Sequence, residues 1–322
     1  MGHEGPGREG TGQDGAGRES AGRAGAGRES SGREVSGAVE PLRVLVVQHE
    51  DVCPPAVLGD ALVREGAVVD VVRPDLGQPL PSSLGRRGAG RRHGGHDALV
   101  VLGGTAAADD DARWPWLPAV RALLAACVAD GTPVLGVCLG AQLLARATGG
   151  RTGPAPRGPE HGVLSVLPVD GVEDDLLSAV GGDGPWRAVQ SHGDAVLELP
   201  AGGELLATST ACDVQVFRVW RARGVQYHPE ATAAVVAAWC DDDDVRRQLA
   251  AGGLTVEGVV GAVADAEPEL AEGARRHARV LLAEAAAARA ERSPGAPSGV
   301  PVAPTAPAPA VATVTATSGA PA

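Results

Sequence analysis

The residue whose surroundings best suit chemistry is Cys138, in G-V-C-L-G at 136–140. An apolar run, 133–137, precedes it, and an amphipathic stretch with Leu139, Leu143 and Leu144 inward follows. Glycines on both sides of a central nucleophile, at a strand-to-helix junction, allow the tight turn that lifts a side chain clear of a sheet. A helix N-terminus lowers a thiol's pKa and a neighbouring imidazole lowers it further, which gives a reactive thiolate at neutral pH. Most cysteines are small buried hydrophobes; the flanking Gly136 and Gly140 set this one apart. A thiolate nucleophile needs a base, and the base needs a group that fixes its tautomer. The segment G-V-Q-Y-H-P-E at 224–230 offers both, as His228 and Glu230, 90 residues beyond the cysteine. Pro229 stiffens the turn between them. Gly103-Gly104 follows another apolar run, 98–102, where a backbone N–H with no Cβ beside it can approach a developing oxyanion.

Such residues must be delivered to one place by a frame of strands and helices. The runs 42–48, 68–72, 98–102 and 133–137 are short and continuously apolar, as strands buried on both faces of a parallel sheet are. Between them the spacing predicts helices over 55–65 and 117–129, the second with Leu117, Val120, Leu124 and Val128 on one face. Gly66 and Gly131 stand where a C-cap favours a left-handed residue. This alternation predicts a doubly wound α/β domain, its sheet mainly parallel and flanked by helices, with the site at the strands' carboxyl ends. From 160 to 227 the runs are shorter and mixed, which predicts antiparallel hairpin additions. Leu270, Ala274, His277, Leu281 and Ala285 keep a helical spacing and predict a last helix over 268–290.

The bulk properties narrow the choices. A formal charge of −12 argues against a nucleic-acid partner or an anionic membrane surface. No apolar run approaches the ~18 residues that span a bilayer, and the hydrophilic N-terminus lacks a secretory core, so the expected address is the cytoplasm. Five dispersed cysteines suit reduced thiols. Residues 1–40 repeat a loose A-G-R-E-S unit with no apolar face, and 293–322 are rich in Pro, Ala, Thr and Ser; both are expected to be disordered tails. The arginine-rich patch 85–95 reads as a flexible insertion. One folded domain is therefore expected over 41–292, with 249–292 as appended helices. The acidic runs Asp109–Asp111 and Asp241–Asp244 read as solvated, and no metal or cofactor is expected.

Four segments together resemble the class I glutamine amidotransferases, most closely the amidotransferase domain of GMP synthases and its stand-alone relatives. They are V-L-G-G-T (101–105), G-V-C-L-G-A-Q-L-L-A (136–145), Q-S-H-G-D (190–194) with the run to 209, and G-V-Q-Y-H-P-E (224–230). The resemblance covers roughly 42–240. It implies the flavodoxin-like fold of that family, a Cys138-His228-Glu230 triad and an oxyanion hole from the N–H groups of Gly104 and Leu139. It further implies a glutamine pocket using Gly103, Gln142, Ser191, Gly193 and Asp194. His192 reads as a structural or rim residue, and Glu160 has no assigned role. Departures from the family are Thr105 where GMP synthases often carry proline, a longer connection over 73–96, and Trp220-Arg221 before the last strand. The S-G-G-x-D-S phosphate loop of a GMP synthase does not follow His228. Three functions stay open: a glutaminase feeding ammonia to a synthetase partner in trans, a hydrolase or transferase of γ-glutamyl amines or peptides, and a catalytically silent binding module.

Overall fold

A computed structural model describes residues 40–85, 95–182 and 184–292. The expectations for 1–39, 86–94 and 293–322 lie outside the described residues. The apolar runs become β1 (Arg43–Val47), β2 (Val68–Val72), β3 (Ala98–Val101) and β4 (Val134–Val137). Side chains alternate across a strand. Val44 and Val46 therefore enter one core with Ala98, Val100 and Leu135, while Leu45 and Val47 enter the other with Leu99 and Val101. Helix α1 (Ala56–Arg64) brings Leu58 and Leu62 to the first core. Helices α2 (Leu117–Asp130) and α3 (Leu139–Ala147) close the second.

The later strands are β5 (Arg151–Pro154), β6 (Glu160–Pro168), β7 (Trp186–His192), β8 (Asp194–Glu198), β9 (Glu204–Thr208), β10 (Val216–Val219) and β11 (Ala222–Val225). A nine-stranded sheet has the order β2-β1-β3-β4-β11-β10-β9-β6-β7, and β5 pairs with β8 separately. The pairs from β2 through β4 to β11 are parallel and those beyond are antiparallel. Because β11 runs parallel to β4, with Val225 opposite Val137, the residues that follow both strands emerge at the same edge.

Helix α4 (Asp175–Val180) precedes β7, and α5 (Ala233–Trp239), α6 (Asp243–Ala251) and α7 (Val256–Glu291) follow the sheet. In α7, Ala278, Leu281, Leu282 and Ala285 complete the first core. No single helix among the described residues is long and apolar enough to cross a membrane.

Three sequence expectations need correction. β2 is an edge strand with Val68 and Val71 exposed, not a strand buried on both faces. In α2 the inward face is wider than predicted: Leu123 and Cys127 are buried beside Leu117, Val120 and Leu124, and Val128 packs on the same core partly buried. The last helix is 36 residues long and starts at Val256, so Pro268 lies inside it. A proline suits the first turn of a helix, which makes Pro268 look like a start; the N-cap is Thr255, whose side chain accepts from the Gly258 N–H.

Candidate active site

Cys138 is the N-cap of α3, one residue beyond β4, with φ 50° and ψ −107°. Positive φ in a non-glycine residue costs energy and persists only where its surroundings over-determine it. Here the Cys138 N–H donates to the Val225 carbonyl at 2.8 Å, and the Cys138 carbonyl accepts from the Gln142 N–H at 3.0 Å. The helix behind it is drawn close to the sheet: a Cβ on Gly140 would lie 2.0 Å from the Val101 carbonyl oxygen. Only glycine fits there.

His228, three residues past β11, is buried, and its Nδ1 lies 2.8 Å from Glu230 Oε1. Its N–H donates to the Val189 carbonyl at 2.9 Å, and Trp239 packs on the ring with centroids 4.5 Å apart. Burial opposes charge on this imidazole, but the negative charges of Glu230 and Cys138 prevail and hold its pKa well above the ordinary value. His228 Nε2 has no hydrogen-bond partner among the described residues. The Cys138 Sγ accepts from Gln226 Nε2 at 3.4 Å.

Gly103 and Gly104 leave β3 at the same edge. A Cβ on Gly103 would stand 3.0 Å from His228 Cε1 and 3.5 Å from the Cys138 Cβ. On Gly104 it would stand 3.1 Å from Leu139 Cδ2. The Leu139 N–H opens α3, where an N–H has no acceptor inside its own helix. A cavity of about 570 Å³ joins Cys138, His228, Gly104, Gln142, Ser191, Gly193 and Asp194. Gln142 donates through Nε2 to the Asp194 carbonyl at 3.1 Å and to Gln226 Oε1 at 3.3 Å, so its side chain ties the elbow to the 191–194 turn.

His192 and Glu160 form a buried network behind this pocket. His192 Nδ1 meets the Asp194 carbonyl at 3.0 Å, and its Nε2 meets Glu160 Oε2 at 3.2 Å. Glu160 also accepts from Ser209 Oγ and Gln215 Nε2, both at 2.7 Å. Burial would raise the Glu160 pKa, yet these donors hold it below the ordinary carboxylate value. Glu160, His192 and Cys212 bring three potential metal-ligand atoms within 4.8 Å of one another. Burial pushes the Cys212 thiol up to about 12, and it donates to the Val214 carbonyl at 3.3 Å.

Residues that the motifs do not reveal also shape the site. Helix α6 walls the cavity with Val245 and Gln248, and Gln248 Oε1 lies 2.9 Å from His161 Nε2. Tyr227, next to His228, donates to His277 Nε2 of α7 at 2.8 Å. His277 Nδ1 donates in turn to the Gly273 carbonyl at 2.7 Å. That pattern needs one proton on Nδ1 and a lone pair on Nε2, and burial accordingly lowers the His277 pKa to about 4. A helical histidine spacing was the only sequence signal for this buttress. The acidic runs are partly engaged: Asp109 pairs with Arg146, Asp111 with Arg121 and Asp241 with Arg246, and Asp242 caps α6.

The family model of class-I glutamine amidotransferases matches residues 60–237, more than half of the chain. A glutamine-hydrolyzing GMP synthase subunit of Ignicoccus hospitalis is 39% identical over 100 residues, covering 30% of this chain and 50% of the relative. Component 2 of anthranilate synthase from Archaeoglobus fulgidus is 42% identical over 101 residues, covering 31% and 53%. The matches thus span about half the length of these relatives. A crystal structure of a glutamine amidotransferase from Thermotoga maritima has a TM-score of 0.64 at 23% identity, over 77% of this chain and 99% of that one.

Proposed function

Since the chain belongs to the class-I glutamine amidotransferase family, we propose that it is a thiol amidase that cleaves the side-chain amide of glutamine and releases ammonia to a synthetase partner in trans. The observation that carries this reading is Cys138, held at φ 50° in one pocket with His228, whose Nδ1 is bound to Glu230. In the proposed cycle the Cys138 thiolate attacks the γ-carbon, and the N–H groups of Gly104 and Leu139 receive the oxyanion. His228, carrying the thiol's proton, gives it to the leaving ammonia. The same imidazole then takes a proton from water, which hydrolyses the γ-glutamyl thioester. Glu230 fixes the His228 tautomer, and Gly103, Gln142, Ser191, Gly193 and Asp194 shape the glutamine pocket. No step calls on a metal or cofactor.

A second reading, hydrolysis of γ-glutamyl amines, is favoured by the cavity. Its volume of about 570 Å³ falls in the ~300–1,000 Å³ range of drug-sized ligands, with room beyond a glutamine side chain. Glu50, Asp194, Asp241, Asp242 and Asp244 line it, a setting that suits a cationic amine. The test is ammonia release from glutamine, measured beside amine release from a γ-glutamyl amine panel. Failure of the full chain to cleave either, with no labelling of Cys138 by a glutamine-mimetic chloroketone, would overturn both readings.

A further inference from the structure

The loop after β1 carries Glu50 into the pocket that holds Cys138. Glu50 Oε1 accepts from the Thr105 N–H at 2.5 Å, and its Oε2 accepts from the Thr105 hydroxyl at 3.3 Å. Gly104 is wedged between this loop and the elbow. A Cβ on it would lie 3.2 Å from Glu50 Oε1, 3.2 Å from the His49 Cβ and 3.1 Å from Leu139 Cδ2. The loop is itself anchored from both sides. The Trp116 indole donates to His49 Nδ1 at 3.2 Å, the Trp239 indole donates to the Val52 carbonyl at 2.7 Å, and the Glu50 carbonyl accepts from Gln48 Nε2 at 2.9 Å. A proline at 105 would have no N–H to offer; the threonine supplies two donors to one carboxylate.

We propose that Glu50 is a positioning residue that acts through Thr105 to hold the Gly104 N–H where the oxyanion develops. The inference rests on the thiol-amidase reading of Cys138 and deepens it. A carboxylate near a developing anion would be unfavourable if free, and the Thr105 donors engage this one. The part that positioning needs is the acceptor, not the charge. A misplacement of about 1 Å at a reacting centre costs on the order of 100-fold, and loss of a whole oxyanion donor ~100- to 1,000-fold. An interaction made only in the transition state lowers kcat and kcat/KM together.

The experiment compares Glu50→Ala, Glu50→Asp and Glu50→Gln in the full chain. It reads kcat and KM on whichever γ-glutamyl amide the wild type cleaves, and inhibition by glutamate γ-semialdehyde. That aldehyde takes the Cys138 sulfur on its carbonyl carbon and the thiol proton on its oxygen, giving a tetrahedral adduct with its oxygen in the same hole. Glu50→Ala and Glu50→Asp are expected to lose about 10- to 100-fold in kcat and a similar factor in aldehyde affinity, with KM within about threefold. Glu50→Gln, which keeps an acceptor for Thr105, is expected to stay within about threefold of wild type. Should the alanine variant fail to fold, the aspartate variant, one methylene too short, carries the test. Unchanged kcat in the alanine or aspartate variant overturns the proposal, as does a loss confined to KM. So does a glutamine variant as damaged as the alanine one, since that would make the charge a substrate contact. A wild type that neither cleaves amides nor labels at Cys138 fails at the underlying reading, and the clamp falls with it.

Discussion

The Cys138 thiol differs from its neighbours in where it stands. Cys127 and Cys212 are buried thiols pushed up to about 12, and Cys53 is raised further by burial and nearby acids. Cys138 alone tops a helix N-terminus at positive φ, in a cavity shared with an imidazole. Cys138→Ala is therefore expected to leave a folded protein with no amide hydrolysis, while Cys127→Ala and Cys212→Ala retain turnover. Mass spectrometry after chloroketone treatment should place one adduct per chain on Cys138; an adduct at another cysteine sinks the assignment. Glu230 bears on tautomer. Replacing it by Gln should lower kcat by at least ~100-fold with the fold intact, because the amide no longer reserves the proton for Nδ1. Circular dichroism and kcat together check this. The sequence draws attention to these residues because each sits in a short motif, and the structure brings Cys138 and His228 to one cavity with Glu230 bound to the imidazole. Glu50, Gln226 and Gln248 were not, because nothing in their own neighbourhoods says that they meet Thr105, Cys138 and His161 across 55, 88 and 87 residues.

At the scale of elements, the strands were legible where both faces are buried, and β2 misled because its apolar run lies on a sheet edge. Apolar composition reports burial, and strand order is settled only by packing. Helix α7 shows the same limit. Its inward positions follow the predicted spacing, but Pro268 hides its first turns, whose Val259 and Val263 pack with α5 residue Val236. Through His277 and Tyr227 this helix braces the strand end that carries His228. That bond pattern makes a pH prediction. His277 has a folded pKa lowered to about 4 against 6.5 for an ordinary histidine. Between those values the unfolded chain binds a proton that the folded chain does not, so stability falls as pH drops through that window and is fully present above it. The contribution is up to ~3 kcal/mol, taking 1.36 kcal/mol per pKa unit. His49, also lowered to about 4 by burial, adds a slope of the same sign. Urea midpoints of wild type and His277→Gln at pH 7 and pH 5 should therefore show a smaller acid loss in the variant. Equal losses would mean that His277 does not stay neutral in the folded protein.

For the whole molecule, the proposed amidase reading turns on where the ammonia it would release goes. The Cys138 sulfur accepts from Gln226 Nε2 at 3.4 Å and shares its cavity with His228. The two tryptophans of the 105–116 loop are engaged within the fold. Trp114 and Trp116 stack edge to face at 5.4 Å, pack on the second core, and Trp116 holds His49. A partner that pressed on this loop would therefore act on the His49–Glu50 segment and, through Thr105, on the backbone at Gly104. The expectation is that the isolated chain labels fully at Cys138 yet turns glutamine over well below the ~1–1,000 per second of ordinary enzymes. Its kcat at saturating glutamine, set beside kcat for γ-glutamyl amines, decides the matter. Fast glutamine turnover by the lone chain counts against a partner-gated site. Fast turnover confined to a γ-glutamyl amine transfers the assignment to a self-sufficient hydrolase, in which Asp242 and Asp244 at the start of α6 would meet a cationic leaving group.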